Sequence, residues 1–136
     1  MGKHLALRLL LDTHVWIWAL LRPEELDTGV ARELENPENE LWLSPVSVWE
    51  ALLLAERGRI ELDAPPEAWV DDALRAFPLR DATLTRAIAV ASRALDLPHE
   101  DPADRFIAAT ALVHDLVLAT RDERLLSSSG CQLLRA

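Results

Sequence analysis

The chain has 136 residues, half of them hydrophobic, which suits one domain with a sizeable buried core. No stretch approaches the roughly 18 uninterrupted apolar residues of a membrane span, and the run at residues 5–11 is too short and interrupted for a signal peptide. The formal net charge of −9 repels nucleic acid at long range and suits a basic partner. Simple electrostatic RNA binding is therefore disfavoured, and any nuclease reading has to overcome that charge.

Lys3 is the only lysine, so nearly all positive charge is arginine. Arginine is the better bidentate phosphate ligand, although a GC-rich genome gives the same bias. The lone Cys131 has no partner for an internal disulfide, which points to a cytoplasmic location. Cys131 itself reads as a small buried hydrophobe near the last strand.

Residues 7–11 read as a short buried strand and residues 14–21 as an apolar helix. A second helix is expected over 28–35, ended by Asn36-Pro37. Residues 41–43 form a second strand. Ser44 then caps a helix with Pro45 at its first position, running to Arg57 and stopping at Gly58. A helix follows over 67–76, a minimal strand at 79–80, and a helix capped by Asp81 that runs to about Leu95. Residues 98–102 read as a loop, 103–114 as a helix and 117–120 as a strand. A short helix at 123–127 and a strand at 132–134 close the chain. Short apolar strands alternating with helices predict a three-layer α/β/α fold with a short, mainly parallel sheet. Ligands of such sheets gather beyond the carboxyl ends of the strands.

Asp12 directly follows the first strand, and Asp122 follows the 117–120 strand after one residue. Both also precede helices, where aspartate is a favoured N-cap. Asp104 heads an apolar column of Ile107, Ala108 and Ala111, in a segment without charge from 106 to 113. A helix apolar nearly all round is a buried one, so Asp104 points inward and needs a partner. The helix carrying Glu50 is almost as apolar, with Ser47, Glu50 and Arg57 as its polar sector. That sector faces solvent, pairs with an arginine or joins an acid cluster; periodicity does not choose. Clustered carboxylates stay ionised only beside a cation, and oxygen donors favour Mg²⁺ or Mn²⁺ over zinc. The four histidines show no metal-ligand spacing; His14 reads as a helix-start residue and His99 as a loop residue. Gly-rich phosphate loops and nucleophile elbows are absent from the sequence.

At these residues the sequence resembles the PIN domain family, and within it the VapC-type toxins of bacterial toxin–antitoxin pairs. The pieces that match are Leu-Leu-Leu-Asp-Thr-His at 9–14, Ser-Val-Trp-Glu at 47–50, Asp-Pro-Ala-Asp-Arg-Phe-Ile-Ala-Ala-Thr-Ala at 101–111 and Leu-Ala-Thr-Arg-Asp at 118–122. Each is weak alone, but four in order span essentially the whole chain. The resemblance implies an α/β/α nuclease that binds Mg²⁺ or Mn²⁺ at Asp12, Glu50, Asp104 and Asp122 and cleaves RNA. It further implies Thr13 and Thr120 as supporting hydroxyls, a cognate antitoxin partner and a homodimer. Ala103 stands where close relatives often carry an aromatic residue. Asp101 is an extra acid, read as a helix N-terminal acid ahead of a supporting partner of the site.

Within that reading, Asp12, Asp104 and Asp122 hold the ion, and Glu50 completes the cage or orients the attacking water. Arg105, Arg121 and Arg124 adjoin site residues in sequence and are candidates for flanking phosphates, with surface salt bridging as their alternative role. Most of Trp16, Trp18, Trp42, Trp49 and Trp69 are expected in the core, with some on a dimer or antitoxin surface. The rival is a non-catalytic binding module of the same fold, with the acids as caps. A receiver-type phosphoacceptor is disfavoured because Lys3 lies before the first strand, and a phosphatase-like hydrolase because no Asp-x-Asp pair follows it.

Overall fold

A computed structural model describes residues 6–97, 100–126 and 132–135. Five strands, β1 (Arg8–Leu11), β2 (Glu40–Leu43), β3 (Arg80–Asp81), β4 (Val117–Thr120) and β5 (Gln132–Arg135), lie in the order β3-β2-β1-β4-β5. Every pairing among them is parallel. Parallel strands need long crossovers, and helices supply them. These are α1 (Thr13–Leu21), α2 (Thr28–Glu35), α3 (Pro45–Glu56), α4 (Pro66–Ala76), α5 (Arg86–Ala94), α6 (Pro102–Val113) and the short α7 (Glu123–Leu126).

The alternation of side chains along a strand divides the core in two. Leu11 and Ala119 face a cluster with Val15, Trp16, Val30, Ala51 and Trp69, supplied by α1–α4. Leu10 and Leu118 face the other way, toward Ile107, Ala108, Ala111 and Leu125 of α6 and α7. Leu9, Leu10 and Leu11 are completely buried. Each such leucine stabilises the fold by about 1.5–3 kcal/mol through burial. Helices thus cover both faces, which is the three-layer arrangement the sequence predicts. Among the described residues, no helix is long and apolar enough to cross a membrane.

Several boundaries differ from the sequence reading. Asp81 does not cap a helix. It is the second residue of β3, and the Ala82 amide continues the ladder by donating to the Leu43 carbonyl at 2.9 Å. The helix starts at Arg86 instead, where Thr85 Oγ1 accepts from the Ile88 amide at 3.2 Å. Helices α1, α4 and α6 each begin one residue earlier than expected. The prolines at the starts of α4 and α6 are ready-made first-turn residues. Trp16 and Trp69 are buried and meet edge to face at 5.8 Å, but Trp18 and Trp42 are only half-buried and Trp49 is exposed. Trp42 packs against the second core cluster, so three of the five tryptophans lie in or against the core. The readings of Lys3, Pro98, His99, Ser127 and Cys131 lie outside the described residues.

Candidate active site

The strand order reverses between β1 and β4, and their carboxyl ends open into a crevice. The Asp12 amide donates to the Ala119 carbonyl at 2.9 Å, so the residue leaves β1 still bound to β4. Its side chain is buried and heavily engaged. Oδ1 accepts from the Thr13 amide at 2.8 Å, capping α1, and Oδ2 accepts from Thr120 Oγ1 at 2.7 Å. Thr120 Oγ1 in turn accepts from the Asp122 amide at 3.0 Å. One hydroxyl therefore ties the end of β1 to the end of β4. Burial raises the Asp12 pKa above the ordinary carboxyl value, and the Asp122 charge adds to it; the bonds from Thr120 and Thr13 act in the opposite direction.

Glu50 arrives from the second turn of α3. Its Oε1 is buried with no hydrogen-bond partner. Burial raises its pKa, the charge on Asp12 pushes the same way, and the nearby Thr13 hydroxyl opposes them. That hydroxyl donates to Ser47 Oγ at 3.0 Å, which pins the start of α1 against α3. Asp104 is buried in the first turn of α6. Asp101 caps that helix, its Oδ1 accepting from the Asp104 amide at 3.2 Å.

Asp12, Glu50, Asp101, Asp104 and Asp122 line one cavity of ≈ 510 Å³, together with His14, Trp18, Arg121 and Arg124. Four chain segments far apart in sequence thus meet there. Arg124 enters between two of the acids: its Nη2 lies 3.2 Å from Asp122 Oδ2 and 3.5 Å from Asp104 Oδ2. Its bond to Asp122 and that carboxylate's charge raise the guanidinium pKa. Arg121 donates to the Glu25 carbonyl at 2.8 Å and lies over the Trp18 ring.

The structure does not bring Arg105 to the cavity. It is buried, with Nε donating to the Ser92 carbonyl at 2.8 Å and Nη2 to the Leu95 carbonyl at 2.9 Å. The fourth position of α6 turns it toward the end of α5, where carbonyls left without helical donors accept it. The expectation that Arg105 holds a flanking phosphate gives way to this structural tie. Sequence reasoning placed Ser47 in the polar sector of α3 without giving it a partner, which is Thr13, and set His14 and Trp18 aside. Their spacing of four residues directly after Asp12 places them on one helix face beside the site.

The donor set is oxygen-only, which suits a hard divalent cation. The orphaned Glu50 Oε1, in a cavity of like charges, has the unmet demand such an ion satisfies. As the side chains stand, no three described His, Cys, Asp or Glu residues form a closed ion cage. Arg124 supplies positive charge to Asp104 and Asp122 in that arrangement. The residues fit Mg²⁺ or Mn²⁺ in donor chemistry.

An acid-lined cavity at the point where strand order reverses, in a parallel sheet covered by helices on both faces, places the chain in the class of open α/β proteins that gather ligands at that crevice. The profile of the PIN domain family matches residues 9–128, and the chain belongs to that family. It is 36% identical over 119 residues to Ribonuclease VapC22 of Mycobacterium tuberculosis, covering 87% of this chain and 89% of that one. The fold is similar to DNA-bound VapBC from Salmonella typhimurium, with a TM-score of 0.70 at 19% identity over 95% of this chain and 98% of that one. It is likewise similar to VapBC2 from Rickettsia felis bound to a promoter DNA fragment, with a TM-score of 0.65 at 15% identity over 96% and 99% of the two chains.

Proposed function

We propose that this chain is a divalent-metal-dependent endoribonuclease of the VapC kind, acting as one nuclease domain and as the toxin of a toxin–antitoxin pair. The observation that carries the reading is the meeting of Asp12, Glu50, Asp104 and Asp122 from four chain segments in one cavity, with Glu50 Oε1 buried and unsatisfied. The similarity to a ribonuclease of that name supports the activity, and the VapBC neighbours support a cognate antitoxin as partner. The working form is a cytoplasmic homodimer.

Asp12, Asp104 and Asp122 would hold Mg²⁺ or Mn²⁺, which when bound would supply Lewis-acid stabilisation of charge building on the scissile phosphate and offset the repulsion between carboxylates and RNA. Thr120 and the Thr13 amide fix Asp12 in position. Glu50 orients the attacking water and takes its proton through the unpartnered Oε1. The water oxygen bonds to phosphorus, the bond to the 3′ oxygen breaks, and that oxygen takes up a proton. The products carry a 5′-phosphate and a 3′-hydroxyl. Arg121 and Arg124 stand at the rim for flanking phosphates.

The test is cleavage of a structured RNA by the purified chain with Mg²⁺ or Mn²⁺, beside Asp12→Asn and Asp104→Asn. Wild-type cleavage is expected to vanish with excess EDTA and in both variants. Cleavage that survives EDTA would sink the metal-dependent reading. The binding-module rival draws on Arg124, which already neutralises two of the acids. It predicts no Mn²⁺ site that Asp12→Asn removes.

A further inference from the structure

The acid cavity does not end at its carboxylates. His14 and Trp18, one turn apart on α1, line both it and a second cavity of ≈ 620 Å³. The two hollows therefore share a wall. The rings of His14 and Trp18 lie 5.7 Å apart at 50°, and Arg121 sits 4.6 Å from the centroid of Trp18. Three flat groups are thus gathered along one rim. Arg22 and Arg59 also line the second cavity. Both are exposed, and neither guanidinium has an ion-pair partner among the described residues. Glu61 is the acid on that wall. Two uncommitted cations beside an acidic cavity stand out in a chain of net charge −9.

Resting on the ribonuclease reading above, we propose that this second cavity and its His14–Trp18–Arg121 rim form a subsite for unpaired RNA flanking the scissile phosphate. The rings stack a nucleobase, while Arg22 and Arg59 hold backbone phosphates. Every base has a π-face, so such a platform tolerates many sequences. Guanidinium matches phosphate geometry with two parallel bonds. Bases are open to stacking in loops and single strands, whereas an A-form duplex keeps them stacked on one another. The substrate is therefore RNA with an unpaired nucleotide beside the cut. Apolar side chains in the same wall suit a peptide as well, but the cations and the ring rim favour RNA.

The test uses the full chain with Asp104→Asn to block cleavage. Binding of a short, fluorescein-labelled unstructured oligoribonucleotide is read by anisotropy, beside a duplex of the same sequence. His14→Ala and Trp18→Leu are each expected to weaken binding roughly 5- to 150-fold, the range for losing one base–aromatic stack, and Trp18→Phe to restore most of it. Arg59→Glu is expected to weaken binding and to reduce the salt slope by about one unit. The duplex is expected to bind more weakly than the single strand. Trp18→Leu also risks the fold, so thermal melting accompanies it, and exposed Arg59 carries the test independently.

Unchanged binding in both His14→Ala and Arg59→Glu overturns the subsite. If wild type still cleaves RNA with Mg²⁺, the ribonuclease reading then stands without it. Absence of wild-type cleavage with either ion overturns that reading and the subsite with it. Arg22→Glu and Arg59→Glu that loosen a co-expressed antitoxin while leaving oligoribonucleotide affinity intact assign the groove to a protein and overturn the proposal.

Discussion

Thr120 Oγ1 donates to Asp12 Oδ2 at 2.7 Å across 108 residues of sequence. The same oxygen accepts from the Asp122 amide, so a single hydroxyl orders two of the four acids. Thr120→Val keeps the shape and removes both bonds, leaving a buried carboxylate oxygen and an amide short of partners. The expected loss is about 1–3 kcal/mol in urea denaturation, with cleavage falling at least tenfold. Thr120→Ser is expected to recover both.

Asp12 links the site to pH. Its folded pKa lies above the ordinary value because burial disfavours the charged form. Between the ordinary and the raised value the folded state binds more protons than the unfolded one, so stability falls as pH rises through that window. Below the ordinary value both states are protonated and the penalty is gone. The metal-free chain should show this downward slope in melts across the acidic range. Asp12→Asn should flatten it, and an identical slope in the variant would refute the assignment.

A divalent ion that binds the folded state stabilises it by mass action. At 100 times its dissociation constant the gain is about 2.7 kcal/mol. Mn²⁺ is therefore expected to raise the melting temperature of wild type and to leave Asp12→Asn and Asp104→Asn almost unmoved. Excess EDTA should reverse the rise.

Arg124 competes for the same carboxylates, since its guanidinium lies against Asp104 and Asp122. The side chain is 56% exposed, so the pairing is a weak one. Arg124→Gln should tighten Mn²⁺ binding roughly 2- to 5-fold by calorimetry, the equivalent of one partly exposed ion pair. RNA affinity should fall in the same variant.

Arg105 behaves in the opposite way. Arg105→Ala leaves the Ser92 and Leu95 carbonyls without their donor. It should cost about 1–3 kcal/mol of stability while activity per folded molecule stays at the wild-type level. A selective loss of activity at unchanged stability would return Arg105 to the site.

The legible parts of this protein are those set by local chemistry. Leu9, Leu10 and Leu11 announce a strand buried on both faces, and Ser44-Pro45 announces a helix start. The carboxylates at strand ends follow once the sheet is parallel, because topology alone then gathers them. Asp81 misled because aspartate caps helices and also ends edge strands, and only pairing with β2 distinguishes the two. Arg105 misled because sequence adjacency to Asp104 says nothing about direction; successive helix residues point about 100° apart. The half-exposed Trp18 was hidden by the general preference of tryptophan for interiors.

The reversal of strand order between β1 and β4 also sets when the site comes into being. Asp12 leaves the ribosome early, yet its hydroxyl donor sits on a strand that is synthesised near the other end of the described fold. A nascent chain shorter than β4 has half a crevice and no Asp122. On this geometry a shortened chain carries its first acid without the partner that orders it, and the cluster is complete only when β4 slots in beside β1.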